Sequence, residues 1–132
     1  MRTAGWLLDT HAMLWMLYGD RRLSRNAKRI IQGSPSLYYS TVSFWEIALK
    51  RGRRGFDFEI ENDWDVLIPE GLREAGTLAI GLEASDCRLM EDLPLHHRDP
   101  FDRLMISQAL RRRIGVLSRD DQWDAYGVER VW

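Results

Sequence analysis

The sequence holds one cysteine, two lysines and no long apolar run, and each scarcity removes a class of explanation. Cys87 alone forms no internal disulfide, builds no thiolate metal site and carries no local signature of a nucleophile, which fits a reducing compartment. No apolar run approaches the length of a membrane span. The opening Met1-Arg-Thr-Ala-Gly-Trp-Leu-Leu-Asp9 has too short an apolar stretch for a signal peptide, so a cytoplasmic location is the expectation. Neither sign of charge dominates. Lys and Arg number 19 against 20 Asp and Glu, for a net charge of −1. Such a balance argues neither for nor against a nucleic-acid partner.

What is present fits an ordinary globular chain. With 132 residues, 45% hydrophobic and 30% charged, one domain spanning 1–132 with a core of its own is expected. Arginines gather at Arg21 and Arg22, at Arg51, Arg53 and Arg54 after Lys50, and at Arg111 to Arg113. Runs of this kind are commonly solvated helix ends, and they could equally contact phosphates around an acidic centre.

One stretch carries unusually complete punctuation, Arg98-Asp-Pro-Phe-Asp-Arg-Leu-Met-Ile-Ser-Gln-Ala-Leu110. Asp99 suits an N-cap, and Pro100 suits the first helical position, where its missing N–H costs nothing. Phe101, Leu104, Met105 and Leu110 form an apolar stripe at helical spacing. Asp102, one turn from Asp99, puts a second carboxylate at the same helix mouth, where the macrodipole favours anions.

Around this helix, short apolar runs alternate with amphipathic ones. Strands are expected at Trp6 to Thr10, Leu37 to Ser40, Thr77 to Ile80, Gly115 to Ser118 and Val128 to Val131. Helices are expected at His11 to Tyr18, ended by Gly19, then from a Ser24 cap, from Phe44 to Lys50, from an Asn62 cap with a kink near Pro69, and from Glu83 to Leu93. Gly33-Ser-Pro-Ser36 reads as a loop. The alternation predicts an α/β fold, a mostly parallel sheet covered on both faces. Ligands of such sheets bind beyond the carboxyl ends of the strands. Asp9 and Asp120 follow strand candidates, Glu46 sits in a helix after another, and Asp102 opens a helix after a loop, so all four can meet on one rim.

Each acid alone has a purely structural explanation. Asp9 can cap the helix beginning near His11, Ser43 and Glu46 make the spacing of a capping box, and Asp120 can cap the turn before Tyr126. Ser118 can orient Asp120 through its hydroxyl or simply end its strand. Together, four carboxylates on one rim raise each other's pKa values unless a cation intervenes. A hard divalent ion such as Mg²⁺ takes oxygen ligands, activates water and neutralises the oxygens of an in-line phosphodiester displacement. His96 and His97 are adjacent and cannot share a helix face as zinc-binding pairs do. They read as loop residues or substrate contacts.

Leu7-Leu-Asp-Thr-His-Ala-Met-Leu-Trp15, Ser43-Phe-Trp-Glu-Ile-Ala-Leu-Lys50 and Leu93-Pro-Leu-His-His-Arg-Asp-Pro-Phe-Asp-Arg-Leu-Met-Ile-Ser-Gln-Ala109 resemble the PIN-domain family, most closely its VapC-type ribonuclease toxins. Leu117-Ser-Arg-Asp120 and Asp124-Ala-Tyr-Gly-Val128 resemble the family's C-terminal segment. The resemblance runs through nearly the whole chain and implies a PIN-like α/β/α sandwich. It also implies a Mg²⁺- or Mn²⁺-dependent endoribonuclease acting on RNA, a homodimer, and inhibition by a cognate VapB-type antitoxin. Carried over, the acids are Asp9, Glu46, Asp102 and Asp120, with Asp99 an additional candidate. Asp9 would be the central metal ligand, Asp102 and Asp120 would complete the shell, and Glu46 would bind the metal or its water. Ser118 keeps a hydroxyl where the family often has Thr. Gly55 to Met90 carries little of the family's signature.

Two other classes remain. In one, the chain is a catalytically silent PIN-like binding module whose acids are only caps. In the other it is a phosphoacceptor of the response-regulator kind, which wants a Lys at the end of a late strand, and neither Lys28 nor Lys50 is well placed for that.

Overall fold

Leu7 and Leu8 turn to opposite faces of their strand, as consecutive strand residues must, and each seeds a different core. The computed structural model describes residues 3–33, 36–53 and 55–132. Residues 34 and 35 of the expected loop and Arg54 of the basic cluster lie outside that set, as do Met1 and Arg2. The elements are β1 (Trp6–Leu8), α1 (Thr10–Tyr18), α2 (Arg25–Gly33), β2 (Leu37–Ser40), α3 (Val42–Lys50) and α4 (Trp64–Glu74). Then follow β3 (Leu78–Ile80), α5 (Ala84–Asp92), α6 (Pro100–Arg112), β4 (Gly115–Leu117), a 3₁₀ segment (Asp121–Tyr126) and β5 (Arg130–Val131).

The five strands are all parallel, in the order β3-β2-β1-β4-β5. Leu8 stands in register with Tyr39 on one side and Leu117 on the other. The chain winds outward from β1 through β2 to β3, then crosses back to place β4 on the other flank of β1. The carboxyl ends of β1 and β4 therefore border the crevice where strand order reverses, the place where α/β sheets bind ligands.

Both faces of the sheet are covered. On one, Leu7 and Val116 pack with Phe101, Leu104, Met105, Ile106 and Ala109 of α6 and with Trp123. On the other, Leu8 and Leu117 pack with Ala12, Met13 and Leu14 of α1, Ile47 of α3, and Ile68 and Leu72 of α4. Near-continuous apolar strands are what two-sided burial demands. Leu110, the last of the expected α6 stripe, is half-buried against the first cluster. Polar residues of α6 are buried too, and they are bonded: Ser107 donates to the Asp86 carbonyl at 2.5 Å, and Gln108 accepts from Ser40 Oγ at 2.6 Å.

Local punctuation mostly follows the sequence. Ser24 Oγ accepts from the Ala27 N–H, and Gly19 ends α1 with φ of 64°. Three expectations change. Asn62 caps nothing, because Arg51 takes its side-chain oxygen and Asp63 holds the N-cap position of α4. That helix runs through Pro69 to Glu74. Ser43 and Glu46 form no capping box, since the N-cap is Thr41 and Ser43 already lies within α3.

Leu7, fully buried at the centre of the sheet, should cost about 2–5 kcal/mol when truncated to Ala, through lost transfer energy and a cavity beneath α6. Leu95, 72% exposed, should cost no more than about 0.5 kcal/mol on the same change. Urea unfolding of the two variants checks the contrast.

Candidate active site

A cleft of about 740 Å³ opens above the carboxyl ends of β1 and β4, and Asp9, Glu46, Asp99, Asp102 and Asp120 all line it. The acids reach it by different routes. Asp9 directly follows β1, and its Oδ1 accepts from the Ala12 N–H at 2.7 Å, capping α1. Asp120 comes three residues after Leu117, the end of β4, and its Oδ1 caps the 3₁₀ segment through the Gln122 N–H at 3.0 Å. Asp99 caps α6, with Oδ1 accepting from Phe101 and Asp102 N–H groups at 2.8 and 3.2 Å. Asp102, one turn into that helix, caps nothing and turns to its neighbours.

Ser118 ties two of these acids together. Its hydroxyl oxygen accepts from the Asp120 N–H at 3.1 Å, and its side chain also bonds the Asp9 carboxylate. The bond to Asp120 is made at its backbone, and the one to Asp9 at its carboxylate.

The tightest grouping among the described residues is His97, Asp102 and Asp120, whose ligand atoms all lie within 4.8 Å of one another. His97 Nε2 stands 2.6 Å from Asp120 Oδ2 and 3.0 Å from Asp102 Oδ2. Glu46 sits deeper, 2% exposed, with Oε1 accepting from Thr10 Oγ1 at 2.5 Å and Oε2 from Lys50 Nζ at 2.5 Å. Lys50 also bonds Asp99 Oδ2 at 3.0 Å. As expected, Lys50 fills no late-strand position, yet it stands inside the acidic cleft. It arrives there from α3, one turn after Glu46, and not from a strand end. That i,i+4 spacing, which puts two side chains on one helix face, was the available signal. For His97 no periodic signal exists, because its loop has no repeating pattern.

Crowding shows in the protonation equilibria. Burial pushes the Asp9 carboxyl up to about 6, against the pull of bonds from Ser118 and the Ala12 N–H. Burial, then the charges of Asp9, Asp99, Glu46 and Asp120, push Asp102 up to about 8. Asp99 goes the other way: burial would raise it, but the bond and charge of Lys50 together with the Asp102 and Phe101 N–H bonds outweigh burial and hold it below the usual carboxylate range. A carboxylate cluster that strains against its own charge is a donor set suited to a divalent cation.

Of the basic clusters, the one at Arg21 and Arg22 reaches the cleft. Arg22 lines it, its guanidinium clamped by Asp20 and Asp57 and lying 4.9 Å above the Trp15 ring. Arg119, outside those clusters, adds an exposed cation to the lining. Arg111 and Arg112 instead bond the fully buried Asp86 at 2.6 and 2.9 Å, which makes them part of the α5–α6 packing. Beside the acids, His11 rests 5.4 Å from the Trp15 ring and 5.6 Å from the Phe56 ring.

The family model for the PIN domain matches residues 6–129. The chain belongs to the PIN-domain family. Among proteins of curated function, none matches the sequence closely enough to count as a relative. Solved structures share the fold at low identity. A DNA-bound VapBC from Salmonella typhimurium superposes with a TM-score of 0.69 at 11% identity, covering 96% of each chain. FitAcB from Neisseria gonorrhoeae gives 0.66 at 15% identity, again covering 96% of both. VapBC2 from Rickettsia felis, bound to a promoter DNA fragment, gives 0.66 at 8% identity, covering 96% of this PIN domain and 97% of that chain.

The upward shifts fix a pH dependence. A raised carboxyl pKa means the folded state holds its proton more tightly, so the stability from that group is fully present below the ordinary value near 4. It is lost as pH rises through about 6 for Asp9 and about 8 for Asp102. In chelator, wild-type protein should therefore lose stability relative to Asp102→Asn as pH is raised across that window. Thermal unfolding of both at several pH values checks this, and a constant difference would show that Asp102 is not crowded.

Proposed function

We propose that this PIN domain is a VapC-type toxin, a Mg²⁺- or Mn²⁺-dependent endoribonuclease of the cytoplasm that cleaves RNA phosphodiester bonds. The observation that carries the proposal is the convergence of Asp9, Asp102 and Asp120 on the crevice between β1 and β4, with Asp102 driven up to about 8 by burial and then by neighbouring carboxylates. These three would hold the ion, which would supply charge neutralisation and an activated water for in-line attack. Glu46, already engaged by Thr10 and Lys50, would act beside it, on the metal's water. Asp99 fixes the mouth of α6 and holds Lys50. Ser118 keeps Asp9 and Asp120 in register with each other. Arg22 and Arg119 offer cationic contacts for the RNA backbone on the cleft's rim.

The neighbouring structures add a partner. They include VapBC and FitAcB proteins, so a VapB-type antitoxin is the regulator we assign to this chain. Its basic side chain would enter the cleft and compete with the cation for the carboxylates. Large apolar side chains remain outside the core. Trp45 is 55% exposed and Leu49 45%, one turn apart on α3, whereas Trp15 and Met13 are buried. Such a patch suits an interface, and we assign a homodimer and an antitoxin contact to this surface class.

Cleavage of structured RNAs should require Mg²⁺ or Mn²⁺, vanish in EDTA, and be abolished by Asp9→Asn and by Asp102→Asn with the fold intact. Added Mn²⁺ should raise the melting temperature of wild type more than that of Asp9→Asn. Equal shifts would remove Asp9 from the metal's shell. Cleavage that persists in EDTA would overturn the mechanism, and metal binding without any cleavage would favour the silent binding module.

Light scattering at micromolar concentration should show a dimer, and co-expression with a small basic-tailed partner encoded beside this chain should silence cleavage. A monomer would refute the dimer. A partner that binds and leaves turnover unchanged would refute the inhibitory contact.

A further inference from the structure

The loop from Leu93 to Arg98 delivers a firmly anchored side chain to the cleft. His97 is 8% exposed. Its backbone N–H and that of His96 donate to one oxygen, the Tyr126 hydroxyl, at 2.8 and 3.0 Å. The His96 ring packs edge-on against the Tyr126 ring, 5.3 Å between centroids. Within the His97 ring, Nδ1 accepts from the Asp99 N–H at 3.0 Å, while Nε2 faces Asp120 and Asp102.

Those partners decide the tautomer. A neutral imidazole has one N–H and one acceptor nitrogen. Because Nδ1 accepts, the proton lies on Nε2 and is aimed at the two carboxylates. A ring nitrogen that carries its proton has no lone pair left for a cation. To ligate through Nε2, the ring would have to move its proton to Nδ1, where it would meet the Asp99 N–H head on. The same three side chains could thus make a mixed nitrogen and oxygen site or an all-oxygen one, and the proton's place separates the two.

Resting on the metal-dependent reading above, we propose that His97 is a positioning residue outside the metal's shell. Its Nε2–H holds Asp120 beside Asp102, so that the ion meets only oxygen donors. Oxygen-only sites suit Mg²⁺ and Mn²⁺, while imidazole nitrogen favours Zn²⁺ and its softer neighbours. Hydrogen bonds from outside the shell orient ligands in just this manner, and losing one typically costs about 10–100-fold in metal affinity.

The test uses full-length protein labelled with ¹⁵N in its histidine rings, followed by long-range ¹H–¹⁵N NMR without and with Mg²⁺. His97 should show a protonated Nε2 and a bare Nδ1, and Mg²⁺ should leave both unchanged. In parallel, Mn²⁺ binding is followed by electron paramagnetic resonance in wild type, His97→Gln and His97→Leu. Gln, whose amide can still donate, should stay within about threefold of wild-type affinity, whereas Leu should fall by about 10–100-fold. A proton that moves to Nδ1 on adding Mg²⁺ would overturn the proposal and leave the metal reading standing. So would a directly bonded nitrogen coupling to Mn²⁺ that disappears in His97→Gln. Failure of both ions to bind wild type would overturn the two together.

Discussion

The bond on which this site depends is the one between a carboxylate oxygen and a backbone N–H at a helix mouth. Asp9, Asp99 and Asp120 each give Oδ1 to such a bond. The free N–H groups of a first turn must find acceptors, and a capping Asp is the usual one. Here the bond also fixes where the rest of the carboxylate can point. Asp99 Oδ2 meets Lys50 and Asp120 Oδ2 meets His97. Capping and site formation are thus one arrangement, and treating them as rival explanations, residue by residue, separates what the fold joins. Parallel topology completes the effect, because it brings the ends of β1 and β4 side by side and their following acids with them.

Concentrating acids in this way is costly, and the chain offsets the cost unevenly. Lys50 compensates Glu46 and Asp99 with a single ammonium. His97 offers its N–H to Asp120 and Asp102. Asp102 receives no full positive charge among the described contacts, and it is the acid pushed farthest, up to about 8. Elsewhere the chain treats a buried acid differently. Asp86, fully buried between α5 and α6, is met by two guanidiniums, and despite burial its pKa falls below the ordinary value. Two acids of the same type, one fully buried and one half-buried, are therefore set apart by their neighbours, one neutralised for packing and one left short of positive charge in an open cleft.

Much of this was legible in the sequence, and what was missed has a common cause. Period and punctuation marked the elements, because Asp99-Pro100 and Gly19 state a helix start and stop through local backbone physics. The order of acids along the chain located the rim, since each follows a strand or opens a helix. Ser43 with Glu46 misled, because S-x-x-E spacing matches a capping box wherever it occurs, while here the turn at Thr41 starts the helix earlier and buries both residues. Asn62 misled likewise, since a tertiary partner, Arg51, competes for its oxygen. His97 and the Ser118 bond to Asp9 depend on contacts across more than twenty residues of sequence, which no local pattern encodes. The short β5 lost residues at its start, where Gly127, with φ of 76°, ends the 3₁₀ segment and the strand begins only at Arg130.

The helix that carries the most repelled acid is also the one most deeply packed. Phe101, Leu104, Met105, Ile106 and Ala109 of α6 are buried against the sheet, and each buried large side chain contributes about 1.5–3 kcal/mol. Asp102 lies between the first two of these anchors, so its backbone is held at the cleft by their packing. Met105 draws the same helix toward the site from below, its sulfur 3.8 Å from the Ser43 hydroxyl and 4.0 Å from that of Thr10, which holds Glu46. A surface acid would relax its repulsion by swinging into water. Here the packed helix fixes the acid's backbone beside the other carboxylates, and protonation or a cation relieves the crowding.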